Sequence, residues 1–249
     1  MRQQQINTTT AVGRHTPLFR GLKTMLQRDE IVRPRILSFG CSRGFECADI
    51  HAEIPDADIF GCDVDAEALS EAEERCRGFA DIFLSTKENI ERQGKFDAVV
   101  ALNVFCRFPQ SAGCEDISTI YPFELFDIGI RDLASAVAPG GYLGLYNGAY
   151  FFEDTSVSKG FLPEENSVWP RNGWIEKCLP NGVCATNVVF EFQDQTFSLK
   201  EWLKWARDPI NREAIFSAPA DVRYKQTWRS DEPVITSRSL ETVFWQRQP

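Results

Sequence analysis

The stretch Ile36-Leu37-Ser38-Phe39-Gly40-Cys41-Ser42-Arg43-Gly44-Phe45-Glu46 constrains this chain more than any other. An apolar run with β character stops at Gly40, Gly44 follows, and a segment with helical character runs from Phe45 to Glu53. A strand, a tight turn and a helix start, in that order, bring free N–H groups and the positive end of a helix dipole to one point, where an anionic group can be held. Gly40 lets the backbone take a conformation that a Cβ obstructs and lets a ligand come close. Glycine at such a turn also serves packing alone, so the stretch says more about fold than about function.

The next segment narrows the choice. Asp58-Ile59-Phe60-Gly61-Cys62-Asp63-Val64-Asp65 reads as a second strand that ends in acids. An acid at the end of strand two is placed to bind the two hydroxyls of a nucleoside ribose. Asp65 directly precedes Ala66-Glu67-Ala68-Leu69 and is expected to cap that helix, which leaves Asp63 for the ligand. A dinucleotide fingerprint needs glycines spaced G-x-G-x-x-G. Counted from Gly40, the second and third fall on Ser42 and Phe45, so NAD and FAD are disfavoured.

Ser38-Phe39-Gly40-Cys41-Ser42-Arg43-Gly44 resembles the first motif of the Rossmann-like (class I) S-adenosylmethionine-dependent methyltransferases, usually acid-x-Gly-x-Gly-x-Gly. Ser38 stands for the acid and Ser42 for the middle glycine. One branch, the chemotaxis-receptor glutamate methyltransferases, is similar in its Ser-x-Gly-Cys-Ser-x-Gly-x-Glu turn and in an Asp-x-Asp like Asp63-Val64-Asp65. The resemblance covers roughly residues 33–146. It implies S-adenosylmethionine as cofactor, met by Ser38, Gly40, Cys41, Ser42 and Gly44, then by Asp63, Val64, Thr86 and Asn103.

The alternation expected of such a fold follows along the chain. Strands are predicted at 35–39, 58–62, 80–84 and 96–103, with helices at 45–53, 66–77 (stopped by Gly78) and 87–93. Asn103 closes the fourth strand, where ligands bind in open α/β sheets. A long helix is expected within 115–138, ending at Pro139-Gly140-Gly141, with a fifth strand at 142–146. Ahead of all this, Pro17 to Leu26 presents apolar positions at helical spacing. The first 35 residues hold seven Lys or Arg against two acids. That basic arm reads as solvated surface or, alternatively, as an anion-facing flap beside the cofactor.

After Tyr146 the alternation stops. Asn147 to Val183 carries Tyr150, Phe151, Phe152, Phe161, Trp169 and Trp174 with Pro163, Pro170 and Pro180. Such a segment is too long and too aromatic for a passive linker. It reads as a lid or substrate wall, or as a small satellite core. Tyr146, Asn147 and Tyr150 are the expected substrate contacts. Asn181-Gly182 signals a hairpin turn, 187–192 a strand, Ser198 a helix cap and 242–247 a final strand.

Composition sets the bounds. The chain has 249 residues, 43% of them hydrophobic, which suits one globular domain or one domain with an insertion. A net charge of −9 argues against a nucleic-acid partner. No apolar run approaches the roughly twenty residues of a membrane span, and the polar N-terminus lacks a signal-peptide core. Of eight cysteines, Cys41, Cys47, Cys62, Cys76 and Cys106 fall in predicted core elements and none has metal-ligand spacing. Reduced cytoplasmic thiols and no metal site are therefore expected.

The expected fold class is α/β: a doubly wound, mostly parallel sheet of about seven strands with a late antiparallel hairpin strand. Residues 1–34 form an arm and helix, and 35–249 a methyltransferase-like domain with 147–183 inserted. The expected activity is transfer of a methyl group from S-adenosylmethionine to an oxygen or nitrogen of a small molecule. A protein carboxyl methyltransferase and a cofactor-binding module without catalysis are the alternatives. The catalytic base stays unassigned. His15 and His51, the only histidines, are expected at the surface.

Overall fold

Two strands buried on both faces, β1 (Arg35–Phe39) and β4 (Phe96–Leu102), form the centre of the sheet. Their Ile, Leu, Val and Phe content is what a parallel strand covered from both sides requires. In the computed structural model, which describes residues 4–5, 13–164, 173–218 and 221–249, β1 also pairs in parallel with β2 (Asp58–Asp63). Beyond β2 lies β3 (Ala80–Leu84), and on the other side β4 pairs with β5 (Val137–Tyr146). The full order is β3-β2-β1-β4-β5-β10-β6, with β6 at Phe161–Pro163 and β10 at Phe244–Arg247. Winding reverses between β1 and β4, which sets the ligand crevice beyond the carboxyl ends of those strands.

Alternation along the strands sorts the core into two layers. Ile36, Val100 and Leu102 meet Leu22 of α1 (Thr16–Arg28), Ile50 of α2 (Phe45–Glu53) and Leu69 of α3 (Ala66–Arg75). Leu37, Val99 and Ala101 face the opposite way, towards Ile90 of α4 (Lys87–Arg92) and Ile130 of α5 (Phe123–Ala136). Helices therefore cover both faces, as the doubly wound class demands.

Several boundaries differ from the sequence reading. The helix expected within 115–138 occupies only Phe123–Ala136, because Pro122 holds an extended backbone ahead of it. The residues before it are tied instead to the turn at 181–182, Ile117 N donating to the Gly182 carbonyl and Cys184 N to that of Glu115. Pro139-Gly140-Gly141 is not the helix–strand junction. β5 already begins at Val137, and the three residues form a bulge between the Phe96–Val137 and Ala98–Tyr142 pairs.

The final strand is antiparallel, as expected, but its neighbours come from far back in the chain. Phe244 pairs with Gly144 of β5 and Trp245 with Pro163 of β6. β6 lies inside 147–183, and Tyr150, Phe151 and Phe152 of that segment are buried. Much of the expected insertion is thus sheet edge and core, while Trp169 and Pro170 lie outside the described residues.

A second, antiparallel sheet was not foreseen. It has the order β8-β7-β9, with β7 (Thr186–Phe192), β8 (Gln195–Ser198) and β9 (Arg223–Trp228). Ser198 caps α6 (Leu199–Trp205) in a capping box with Glu201, and α7 (Pro209–Ser217) follows. Trp202 stacks on Phe190 at 4.9 Å between ring centres, and Phe197 and Trp205 complete a separate aromatic core.

The expectation of thiols holds for Cys41, Cys47, Cys62, Cys76 and Cys106, all buried and free. It fails for Cys178 and Cys184, which form a disulfide. The turn at 181–182 sets them opposite one another as an antiparallel bridge, closer than the sequence spacing alone suggests.

Candidate active site

The turn after β1 is built from left-handed backbone: Gly40 (φ +76°), Ser42 (φ +48°) and Gly44 (φ +80°). A Cβ on Gly40 would lie 2.5 Å from Val104 Cγ2, and one on Gly44 3.0 Å from the Ala72 backbone, so both glycines are obligatory. Ser42, where the family motif has glycine, is held in its unfavourable conformation from outside. Its N–H donates to Asp63 Oδ2 at 2.8 Å, and Asp65 N–H donates to Asp63 Oδ1 at 3.0 Å. Asp63 therefore clamps the turn to the end of β2. Each of its oxygens keeps a further lone pair for a ligand. Asp65 caps α3 as expected, accepting from Glu67 N at 3.0 Å and Ala68 N at 3.2 Å.

Ser38 is fully buried and donates its hydroxyl to Glu46 Oε2 at 3.1 Å. Glu46 lies in the first turn of α2, so a carboxyl stands at the end of β1 although the strand itself supplies none. Burial pushes this carboxyl up to about 8 against the opposing pull of the Ser38 bond. His15 Nε2 lies 3.9 Å from Glu46 Oε1. Burial, aided by Arg14, lowers the imidazole to about 3, so near neutral pH both groups are uncharged and the contact is not an ion pair.

His15 is thus a buried residue at the head of α1, not a surface one. Its neighbour Gly13 donates its N–H to Asp49 of α2 at 2.9 Å, which brings this part of the basic arm onto the site. His51 is half-buried and stacks on Phe79 with ring centres 4.5 Å apart.

Asn103 (φ +60°) and Asn147 (φ +57°) close β4 and β5 with matching left-handed turns. Asn147 Nδ2 donates to Asn103 Oδ1 at 2.6 Å, which leaves Asn103 Nδ2 facing His15 Nε2 at 2.9 Å. That orientation assigns the imidazole proton to Nδ1. Asn147 Oδ1 in turn accepts Trp174 N–H at 2.7 Å and Ile175 N–H at 3.2 Å. Gly173 makes this approach possible, since a Cβ there would come within 1.9 Å of that same oxygen. Tyr146 packs edge-on to His15, and its hydroxyl meets that of Tyr224 from β9 at 3.1 Å. The second sheet is thereby joined to the rim of the first.

The geometry brings Ser38, Gly40, Ser42, Gly44, Asp63 and Asn103 together with Tyr146 and Asn147. It separates the rest. Cys41 is buried with its thiol turned towards the core, Val64 is exposed, and Thr86 is spent as the α4 cap, accepting from Asn89 N at 3.1 Å. Tyr150 belongs to the core, where its hydroxyl donates to the Tyr121 carbonyl and its ring meets Phe123 edge-on at 5.2 Å. Glu46, His15 and Tyr224 had no assigned role in the sequence reading. Only Glu46 carried a usable signal, an acid just inside a helix that starts at a glycine turn. Among the described residues no cluster of three or more His, Cys, Asp or Glu could hold a metal ion.

Residues 37–143 match the family described as "Methyltransferase domain". The sheet order over this segment is the doubly wound one that the resemblance to the class I methyltransferases implies.

The chain is also 31% identical over 123 residues to an uncharacterized protein of Synechococcus sp.. That match takes in 47% of this chain and 26% of the relative, so the chain spans about a quarter of the curated relative's length. Among solved structures, PKMT2 from Rickettsia typhi overlaps 54% of this chain and 26% of its own, at 14% identity and a TM-score of 0.41. The plantazolicin methyltransferase BpumL, solved with a pentazolic analogue and SAH, overlaps 53% of this chain and 46% of its own, at 16% identity and a TM-score of 0.40.

Proposed function

We propose that this chain transfers a methyl group from S-adenosylmethionine to an oxygen or nitrogen of a small molecule. The observation that carries the reading is the Ser38–Glu46 pair, a buried and neutral carboxyl at the end of β1. A group in that state favours a cationic ligand, whose arrival would ionise it and create a desolvated ion pair. S-adenosylmethionine bears an ammonium on its methionine end, whereas NAD offers phosphates at the same place. Asp63 at the end of β2 suits the ribose hydroxyls, and Gly40 and Gly44 leave the close approach that a Cβ would fill.

The cofactor supplies an already activated methyl, so the chain's own task is alignment and exclusion of water. Asn103 and Asn147 hold the ends of β4 and β5 in one fixed relation. Tyr146 and Tyr224 supply the wall on which an acceptor would rest. The catalytic base stays unassigned, since burial lowers His15 to about 3 and its Nε2 lone pair is taken by Asn103 Nδ2. Among the described residues no helix is long and apolar enough to cross a membrane. A cytoplasmic setting is this reading's expectation from the five buried free thiols, with Cys178–Cys184 a local bridge across the turn at 181–182.

Calorimetry with SAH and NAD on the wild-type chain and on Glu46→Gln tests the reading. SAH should bind more tightly than NAD and lose affinity in the variant; tighter binding of NAD defeats it. Label from methyl-labelled S-adenosylmethionine appearing in a small-molecule extract separates transfer from mere cofactor binding.

A further inference from the structure

The Glu46 side chain is buried, the residue being 7% exposed, and among the described residues its carboxyl receives one hydrogen bond, from the Ser38 hydroxyl to Oε2 at 3.1 Å. An ionised carboxylate can accept about four, so a buried carboxyl with a single donor is suited to the protonated form. The neighbour placed to give a second bond does not do so. His15 Nε2 stands 3.9 Å from Oε1, and its lone pair is already turned to Asn103 Nδ2. The imidazole therefore presents no N–H to Glu46.

Charged groups reach this carboxyl from each element packed around it. Burial outweighs them and pushes it up to about 8, against the Ser38 bond and the charge of Arg14 ahead of α1, and with repulsion from Asp49 on α2 and Asp63 at the end of β2. Asp49 accepts from Gly13 N–H, and Asp63 from the N–H groups of Ser42 and Asp65, so neither depends on Glu46 for a partner. The thiols of Cys41 and Cys47 hold their protons and add no charge. Solvent reaches this end of β1, where Gly40 is half-buried and Gly13, Arg14 and Arg43 are exposed.

We propose that Glu46 makes cofactor binding proton-coupled: it carries a proton before the ligand arrives and gives that proton to solvent when its carboxylate pairs with the ammonium of the cofactor's methionine end. The O–H bond of Glu46 breaks, its electron pair stays on the carboxylate, and the ammonium keeps all of its own protons. One neutral group and one cation become an ion pair out of water, and one positive charge returns to the buffer. The cofactor site is thereby sensitive to pH. Acid retains the Glu46 proton and weakens binding, whereas a pH near 8 frees the carboxylate in advance. This inference rests on the S-adenosylmethionine reading above and adds the regulation of that same site.

The test is calorimetric titration of SAH into the full chain in buffers of different ionisation enthalpy, which counts the protons released. At pH 7 about 0.9 proton per SAH is expected from a carboxyl that titrates near 8. SAH affinity should rise at least tenfold from pH 6 to pH 8. Methylthioadenosine, which keeps the adenosine but has no ammonium, should bind wild type with no proton released and no such rise. Glu46→Gln should bind SAH more weakly and release none; if that variant does not fold, the comparison of the two ligands on wild type decides. SAH heats that do not depend on the buffer, a release that persists in Glu46→Gln, or an equal release with methylthioadenosine overturns the proposal and leaves the cofactor reading standing. Failure of SAH to bind at all overturns both.

Discussion

The hydroxyl of Ser38 is bonded to the carboxyl of Glu46, a residue of the following helix. The acid that the family motif places on the strand is here delivered from the first turn of α2. Ser38 on the strand and the buried Glu46 on the helix are thus two halves of one arrangement.

That arrangement predicts a separable effect for Glu46→Gln. The variant should lose about 1.5–3 kcal/mol of SAH affinity, the usual worth of a hydrogen bond to a charged group. Its ligand-free stability should not fall, because an amide keeps the Ser38 contact and removes a carboxyl that resists ionisation. Calorimetry and thermal unfolding read the two effects apart.

The same pair predicts a pH dependence with a definite sign. Glu46 holds its proton to about 8 when folded, against about 4.5 unfolded, so its contribution declines as pH rises through that window. His15 works in the opposite sense, lowered to about 3 from about 6.5, so its contribution rises with pH between those values and is flat above them. From pH 6.5 to 8 Glu46 alone of the two still changes. The Tm of Glu46→Gln relative to wild type should increase across that interval, and a constant difference would contradict the assignment.

Asp63 and Asp65 should behave differently from one another. Asp65→Ala removes only the α3 cap and should cost about 1 kcal/mol of stability with SAH binding intact. Asp63→Ala frees the Ser42 turn as well as the ribose site. It should therefore lower both stability, by about 1–3 kcal/mol, and SAH affinity. Urea unfolding alongside SAH titration checks both variants.

Gly173→Ala should injure the acceptor side while sparing the cofactor side. The new methyl would collide with Asn147 Oδ1 at a backbone φ of +102°, so Asn147 must release Trp174 and Ile175. A loss of about 2 kcal/mol or more in unfolding free energy is expected, with SAH affinity within a factor of about three of wild type.

Legibility in the sequence followed the range of the forces involved. β1 to β4 and α2 were readable because strand and helix periods, glycine turns and caps are local features. β6 was hidden because Phe161–Pro163 is a strand only through its pairing with β10, far along the chain. β8 and β9 were hidden for a related reason, being short and rich in polar residues, with one inward face supported by α6. In the site, the Gly40–Gly44 turn and Asn103 carried local signals. His15 did not: its neighbours Arg14 and Arg20 are basic and exposed, and nothing nearby in sequence discloses that Asn103 and Glu46 enclose it.

Because β10 slots between two strands made long before it, β5 and β6 present unpaired edges during synthesis until Phe244–Arg247 has emerged. Exposed edges invite pairing with other chains. The nascent protein passes through an aggregation-prone interval, and its yield in cells should depend on chaperone supply more than the finished fold's stability would suggest.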